Sequence, residues 1–182
     1  MDDGQQRANK KYKRYDDTPE SGEGGHAMKA ETRIFGTIDI EDSKIIKMEK
    51  GMIGFPDLKT FSLIFDSDKH EKGGSTIMWL QSMDDGDIAF PVMIPNLIIE
   101  DYNPTVNNEA LAPLGDLNEE NTYVLVTVNV PSDLKKIACN LKAPIVLNTD
   151  TNKAAQIVVE DDFAVHFEFY DLLQKRKEKA GE

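Results

Sequence analysis

From Arg33 onward the chain is a succession of short runs rich in β-branched and aromatic residues, many of them alternating polar with apolar, cut by clusters of Gly, Pro, Asn and Asp. A period of two puts successive side chains on opposite faces of a strand, whereas a helix needs apolar residues three or four apart. The runs predict strands over 34–40, 44–48, 60–65, 77–81, 88–94, 123–130, 137–141, 145–148 and 155–159. Helical spacing is confined to 106–114, where Pro113 limits its length, and to the last dozen residues. Many short strands with no strand-helix-strand rhythm favour an antiparallel sheet that curls or closes on itself. The expected fold class is therefore all-β, a small antiparallel open or split β-barrel with one short helical segment and a polar C-terminal helix or tail. In 163–169, Phe163, Val165, Phe167 and Phe169 alternate with smaller or polar residues, and this run is expected to be the strand that closes the core.

The 182 residues, 40% of them hydrophobic, suffice for one domain with a packed core. Residues 1–27 carry five basic and six acidic side chains and, apart from Tyr12 and Tyr15, almost no large apolar ones; burial cannot offset chain entropy, so disorder is expected there. Met28 precedes the first patterned run, and the domain is expected to span 28–174, followed by a charged tail over 175–182. Residues 28–174 hold 12 basic and 25 acidic side chains, a net −13, against −12 for the whole chain. A negative surface repels phosphate backbones and anionic headgroups, which argues against a nucleic-acid partner or a membrane. With no apolar run of spanning length and no secretory leader, a cytoplasmic location is expected.

The sequence offers no catalytic constellation. Cys139, the single cysteine, lies in an apolar run and reads as an inert, partly buried thiol. His26, His70 and His166 are far apart and none stands at metal-ligand spacing from another ligand. Gly73-Gly74-Ser75 lacks the lysine of a phosphate loop, and Asp66, Asp68, Lys69, His70 and Glu71 read as a solvated loop. Asp84, Asp85 and Asp87 around Gly86 are a fragment of a calcium loop without its closing Glu. A tight hairpin is the simpler reading, with Asp-Gly supplying positive backbone angles. No cofactor, metal or enzymatic activity is expected.

What remains is a set of residues suited to holding a protein surface. Gly51-Met-Ile-Gly-Phe-Pro56 offers Phe55 on a proline-stiffened turn; Leu80-Gln81-Ser82, then Phe90 with Pro95, then Asp101-Tyr102-Asn103-Pro104 follow, and later Asn140-Leu-Lys-Ala-Pro-Ile-Val-Leu-Asn148. In this order and spacing, from about Ile34 to Phe169, the set resembles the flagellar assembly factor FliW family. The resemblance implies a non-enzymatic regulator that binds newly made flagellin and, alternatively, the carbon storage regulator CsrA, an RNA-binding translational repressor. Capture of CsrA would relieve repression of the flagellin message, and accumulating flagellin would restore it. An acidic barrel independently suits a basic RNA-binding partner. A monomer is expected when neither partner is bound. The rival reading is a split-barrel flavin-binding enzyme, which needs a cluster of phosphate-holding residues that no one segment supplies. For the partner surface, Tyr102 with Asp101 and Asn103 is the first candidate anchor and Phe55 the second, while Asp84, Asp85, Asp87, Glu119 and Glu120 are candidate steering charges.

Overall fold

The structure is a computed structural model that describes residues 27–65 and 77–180. Eleven strands form, in chain order, β1 (Ala27–Thr32), β2 (Gly36–Glu41), β3 (Ile46–Lys47), β4 (Thr60–Ile64), β5 (Met78–Ser82), β6 (Ala89–Met93), β7 (Thr122–Asn129), β8 (Ala138–Cys139), β9 (Ile145–Asn148), β10 (Lys153–Gln156) and β11 (Phe167–Glu168). Two α-helices, α1 (Asn108–Leu111) and α2 (Tyr170–Ala180), accompany them. Asn107 caps α1 by accepting the Glu109 N–H at 2.8 Å, and a 3-10 turn with Pro113 carries the chain from α1 to Leu114.

Seven strands close a barrel in the order β3-β4-β5-β6-β7-β9-β10, as β7 pairs with β9 and β10 with β3. The all-β barrel read from the sequence is thus closed, and one of its joints, β3 to β10, is parallel. Strand β7 makes closure possible: Thr122 to Leu125 pair with β9, Val126 and Thr127 with β6, and Val128 and Asn129 with β8. Thr122 faces Asn148 while Val128 faces Cys139, an offset of three residues that the chain absorbs between β8 and β9. Pro144 has no N–H to give a ladder there, and the Asn140 carboxamide oxygen accepts the Lys142 and Ala143 N–H groups at 3.0 and 3.2 Å instead.

Both faces of β7 are buried. Tyr123 and Leu125 enter the barrel core with Phe61, Leu80, Ile145 and Leu147. Val126 and Val128 face an outer core with Tyr102, Ile137, Cys139, Leu141 and Phe169, over which Leu172 and Leu173 of α2 pack. This outer layer corrects the expectation for 163–169. The run pairs with β8 only through Phe167 and Glu168, and Val165 is 65% exposed. It covers the barrel from outside because β9 already occupies the closing edge. Among apolar residues of the expected strands and of that run, Leu80, Val126, Val128, Ile145 and Phe169 are buried, while Phe35, Trp79, Phe90 and Phe167 are half-buried. Phe35 meets Trp79 edge-on at 6.3 Å, beneath the β1-β2 hairpin.

Of that hairpin, β2 overlaps the strand expected over 34–40, while β1 carries no hydrophobic pattern, since it reads Ala-Met-Lys-Ala-Glu-Thr and is mostly exposed. The first described strand starts at Ala27. At the other end α2 runs through position 174, so the expected boundary between barrel and tail has no structural counterpart. The disorder expected before Ala27, the charged loop at 66–71 and the glycine pair at 73–74 lie outside the described residues.

Gly51 shows how little room the first functional turn has. Its φ is +68°, and a Cβ there would stand 2.6, 2.8 and 2.9 Å from the carbonyl oxygens of Phe55, Pro56 and Leu58. Gly51→Ala is expected to cost about 1–3 kcal/mol in urea unfolding, from left-handed strain plus displaced backbone. Phe61→Ala, which opens a cavity in the barrel core, is expected to cost about 3–5 kcal/mol. An unchanged urea midpoint for either would contradict this packing.

Candidate functional site

The chain between β3 and β4 folds back on itself around Gly51. The Gly51 N–H donates to Met48 O at 3.0 Å, Phe55 N–H to Met52 O at 2.8 Å and Leu58 N–H to Phe55 O at 3.2 Å. Met52 and Leu58 turn inward, which leaves Ile53 55% and Phe55 41% exposed. Gln156 of β10 fixes the tip, accepting the Ile53 N–H at 2.9 Å while donating to Ala143 O at 3.2 Å. Phe55 rests edge-on against Phe90 at 5.2 Å, so its ring is held in place while one side faces solvent.

Asp84 lies beside this turn and organises it. Its carboxylate accepts the Lys59 and Thr60 N–H groups at 2.6 and 2.7 Å and the Thr60 hydroxyl at 2.6 Å. Partial burial pushes its pKa up, but the Thr60 hydroxyl and the Thr60 and Lys59 N–H groups outweigh that and hold the carboxyl below the usual range. Asp84 is thus a clamp between β4 and the β5-β6 loop, besides carrying an exposed negative charge. Asp85 and Asp87 are exposed beside it.

The loop itself differs from the expected Asp-Gly turn in its cause. Gly86 is not among the glycines with positive φ; a Cβ there would fall 1.9 Å from Glu31 O, so the position is glycine because the β1-β2 hairpin sits on it. Gly86 O accepts the Arg33 N–H at 3.1 Å, and Arg33 Nε donates to Asp87 O at 3.1 Å. From within, the buried Gln81 carboxamide donates to Ser82 O, Gly86 O and Ile88 O at 2.9, 3.2 and 3.0 Å.

The structure removes Tyr102 as an outward anchor. The side chain is 5% exposed, its hydroxyl donates to Leu141 O at 2.7 Å, and its ring packs against Phe163 with centroids 4.9 Å apart. Leu141 O belongs to the β8-β9 interruption and lacks a strand partner, which is why a buried hydroxyl is accommodated there. Asp101 and Asn103 on either side are exposed. Glu119 and Glu120 are exposed on a turn in which the Asn118 carboxamide oxygen accepts the Glu120 and Asn121 N–H groups. This turn precedes the first residue of β7, while Asp85 and Asp87 precede the first residue of the antiparallel β6. The two acidic loops therefore stand at opposite ends of that strand pair. Phe55 is tied through Phe90 to β6, the strand that Asp85 and Asp87 precede, whereas Glu119 and Glu120 stand at the far end of the β6-β7 pair.

Residues 29–169 match the model of the FliW protein family. The chain belongs to the FliW family. It is 42% identical over 149 residues to the flagellar assembly factor FliW of Lachnoclostridium phytofermentans, covering 81% of this chain and 94% of that protein. It is 40% identical over 152 residues to the flagellar assembly factor FliW of Lachnospira eligens, covering 82% of this chain and 99% of that protein. A crystal structure of the flagellar assembly factor FliW superposes with a TM-score of 0.71 over 79% of this chain and 97% of that one, a likeness of fold at 22% identity. The family is thus named for assembly and not for a reaction. Among the described residues no group of His, Cys, Asp and Glu could hold a metal ion, and no helix is long and apolar enough to cross a membrane.

Sequence reasoning passed over two parts of this FliW-family surface. Ile53, 55% exposed, was not singled out within the Gly51–Pro56 turn, and Val158, 61% exposed, lay in the strand expected over 155–159. A groove of about 540 Å³, lined by Met48, Leu114, Ala154, Val158 and neighbouring residues, combines β3, β10 and the α1 segment. Its wall is set by Asn148, fully buried, whose carboxamide donates to Leu114 O and Asp116 O, each at 3.0 Å. No local pattern marks a cavity between β3, β10 and the α1 segment, the nearest of which, Leu114 to Lys153, are 39 residues apart along the chain.

Burial raises the Tyr102 pKa from 10.0 to about 12, with the Cys139 and Asp161 charges adding to the effect, and burial raises Cys139 from 9.0 to about 12. Both groups are neutral in the fold and ionise earlier in the unfolded chain, so their contribution is complete below about pH 9 and is lost as pH rises toward 12. Tyr102→Phe is expected to lower stability by about 1–3 kcal/mol at neutral pH, by leaving Leu141 O unsatisfied. The same variant is expected to flatten the alkaline loss above pH 10. Urea titrations across the pH range check both signs.

Proposed function

We propose that this chain works by binding flagellin and, alternatively, a CsrA-type RNA-binding regulator, and that exchange between the two sets flagellin output. The observation that carries this reading is the exposed, rigidly held pair Ile53 and Phe55, with Phe55 seated on Phe90 of the strand that follows the exposed Asp85 and Asp87. An aromatic whose backbone and ring are already ordered loses little entropy on binding, which is how an interface anchor acts. These two carboxylates, on a domain of net −13, favour encounter with a basic protein and oppose RNA next to it. The name that the relatives carry supports a role in flagellar assembly. If CsrA and flagellin draw on one pool of this protein, free flagellin governs how much CsrA stays on its message by mass action. Release from repression then requires no chemistry, which accords with a sequence that offers no catalytic constellation.

Anchor and steering groups fail differently. Phe55→Ala, folded by circular dichroism, is expected to raise the dissociation rate from at least one partner by tenfold or more, about 1.4 kcal/mol or above. Asp85→Asn with Asp87→Asn is expected to lower the association rate and flatten its dependence on salt while leaving dissociation nearly unchanged. Interferometry with purified flagellin and CsrA reads both. Parent-like binding of both variants to both partners would sink the assignment of this surface.

A further inference from the structure

The groove beside the Phe55 turn is apolar within and basic at its rim, against the grain of an acidic protein. Its apolar lining includes Met48, Pro113, Leu114, Ala154 and Val158. Lys47, Lys50, Lys59 and Lys153 also line it, with Glu49 as the sole carboxylate in the lining. All four lysines are exposed, and none pairs with a carboxylate of the described residues. Two of them are forced together by the barrel's closure: Lys47 and Lys153 are direct partners in the parallel β3-β10 joint. Neighbouring strands lie roughly 5 Å apart, and like charges placed opposite one another destabilise a sheet. The fold thus carries an uncompensated positive pair at its seam, flanked by an open apolar surface.

We infer that this groove docks an acidic amphipathic segment of a partner protein, with apolar side chains on the floor and carboxylates against the lysine rim. A small ligand is less suited, since its orientation is usually set by polar groups converging inside a pocket, whereas here the charges stand at the edge. The apolar floor also continues outward, since Gln156, which lines the groove, holds the tip of the turn that exposes Ile53. The chain's own residues 1–26 are a poor occupant, lacking large apolar residues apart from Tyr12 and Tyr15. This surface is chemically opposite to the acidic loop of Asp85 and Asp87, so the domain offers one face to a basic partner and another to an acidic one. The inference does not depend on which proteins those partners are.

The test uses the full chain and a fluorescein-labelled synthetic helix with leucines at i, i+3, i+4 and i+7 flanked by glutamates. A second helix has lysines in place of the glutamates, and a third has serines in place of the leucines. Fluorescence anisotropy is expected to show binding of the first peptide and weak or no binding of the other two. Lys47→Glu with Lys153→Glu is expected to weaken the acidic peptide by about tenfold or more and to gain affinity for the lysine-flanked one. Val158→Glu, at an exposed position, is expected to weaken the acidic peptide without a change in melting. Lys153→Glu alone is expected to raise the melting temperature while losing affinity, a combination that a merely structural lysine would not give. Equal binding of acidic and basic peptides, or binding untouched by the lysine reversals, would overturn the inference. So would carbodiimide cross-links from Lys47 or Lys153 to residues 1–26, or a dimer in sedimentation that the double reversal dissolves, since the groove would then already have an occupant.

Discussion

Strand β7 is the member on which the rest of the molecule depends, because it is buried on both faces and paired along both edges. One edge meets β6; the other is divided between β9, which closes the barrel, and β8, which starts the outer layer. Tyr123 and Leu125 serve one core, Val126 and Val128 the other. Here the edge that β7 shares with β8 and β9 changes register part-way, and the Asn140 to Pro144 interruption supplies that change. Tyr102 and Phe169 then cover the interruption from outside, which ties the segment after β6 and the last helix to the same point.

Elsewhere the loops are held by polar side chains acting on backbone groups that no strand satisfies. Asn148 supports the wall beside α1, Gln81 spans the base of the β5-β6 loop, Asp84 joins that loop to β4, and Gln156 pins the Ile53 tip. Each bonds two or more groups, mostly of the backbone, that no strand ladder satisfies. Loops held in this way can present exposed apolar side chains without collapsing onto the barrel.

Charge is distributed on the same plan. The domain is acidic overall, but the strand register gathers lysines from three separate segments at the parallel seam, while Asp85 and Asp87 stand on the β5-β6 loop. Net charge governs long-range encounter; the local arrangement decides what each face will accept once contact is made. A FliW-family protein with two such faces has the means to tell partners of opposite charge apart.

Alternation and turn residues were enough to read the all-β class, most strands and the short α1 segment, because a period of two and a cap or proline act within a few residues of chain. The ordered motifs from Phe35 to Phe169 likewise carried the family resemblance, which the match over residues 29–169 bears out. Strand β1 escaped because it is mostly polar and exposed, leaving no hydrophobic signal. Tyr102 was misplaced because an aromatic beside a proline looks the same in sequence whether its hydroxyl faces water or a stranded carbonyl 39 positions later. Gly86 shows the same division: the sequence marks a turn, but contact with Glu31, 55 residues earlier, is the reason for the glycine. Local chemistry determined which segments could be strands and turns. Which face of each was covered, and which charges became neighbours, was decided only when distant segments closed the barrel, since burial and electrostatics depend on distance in space and not along the chain.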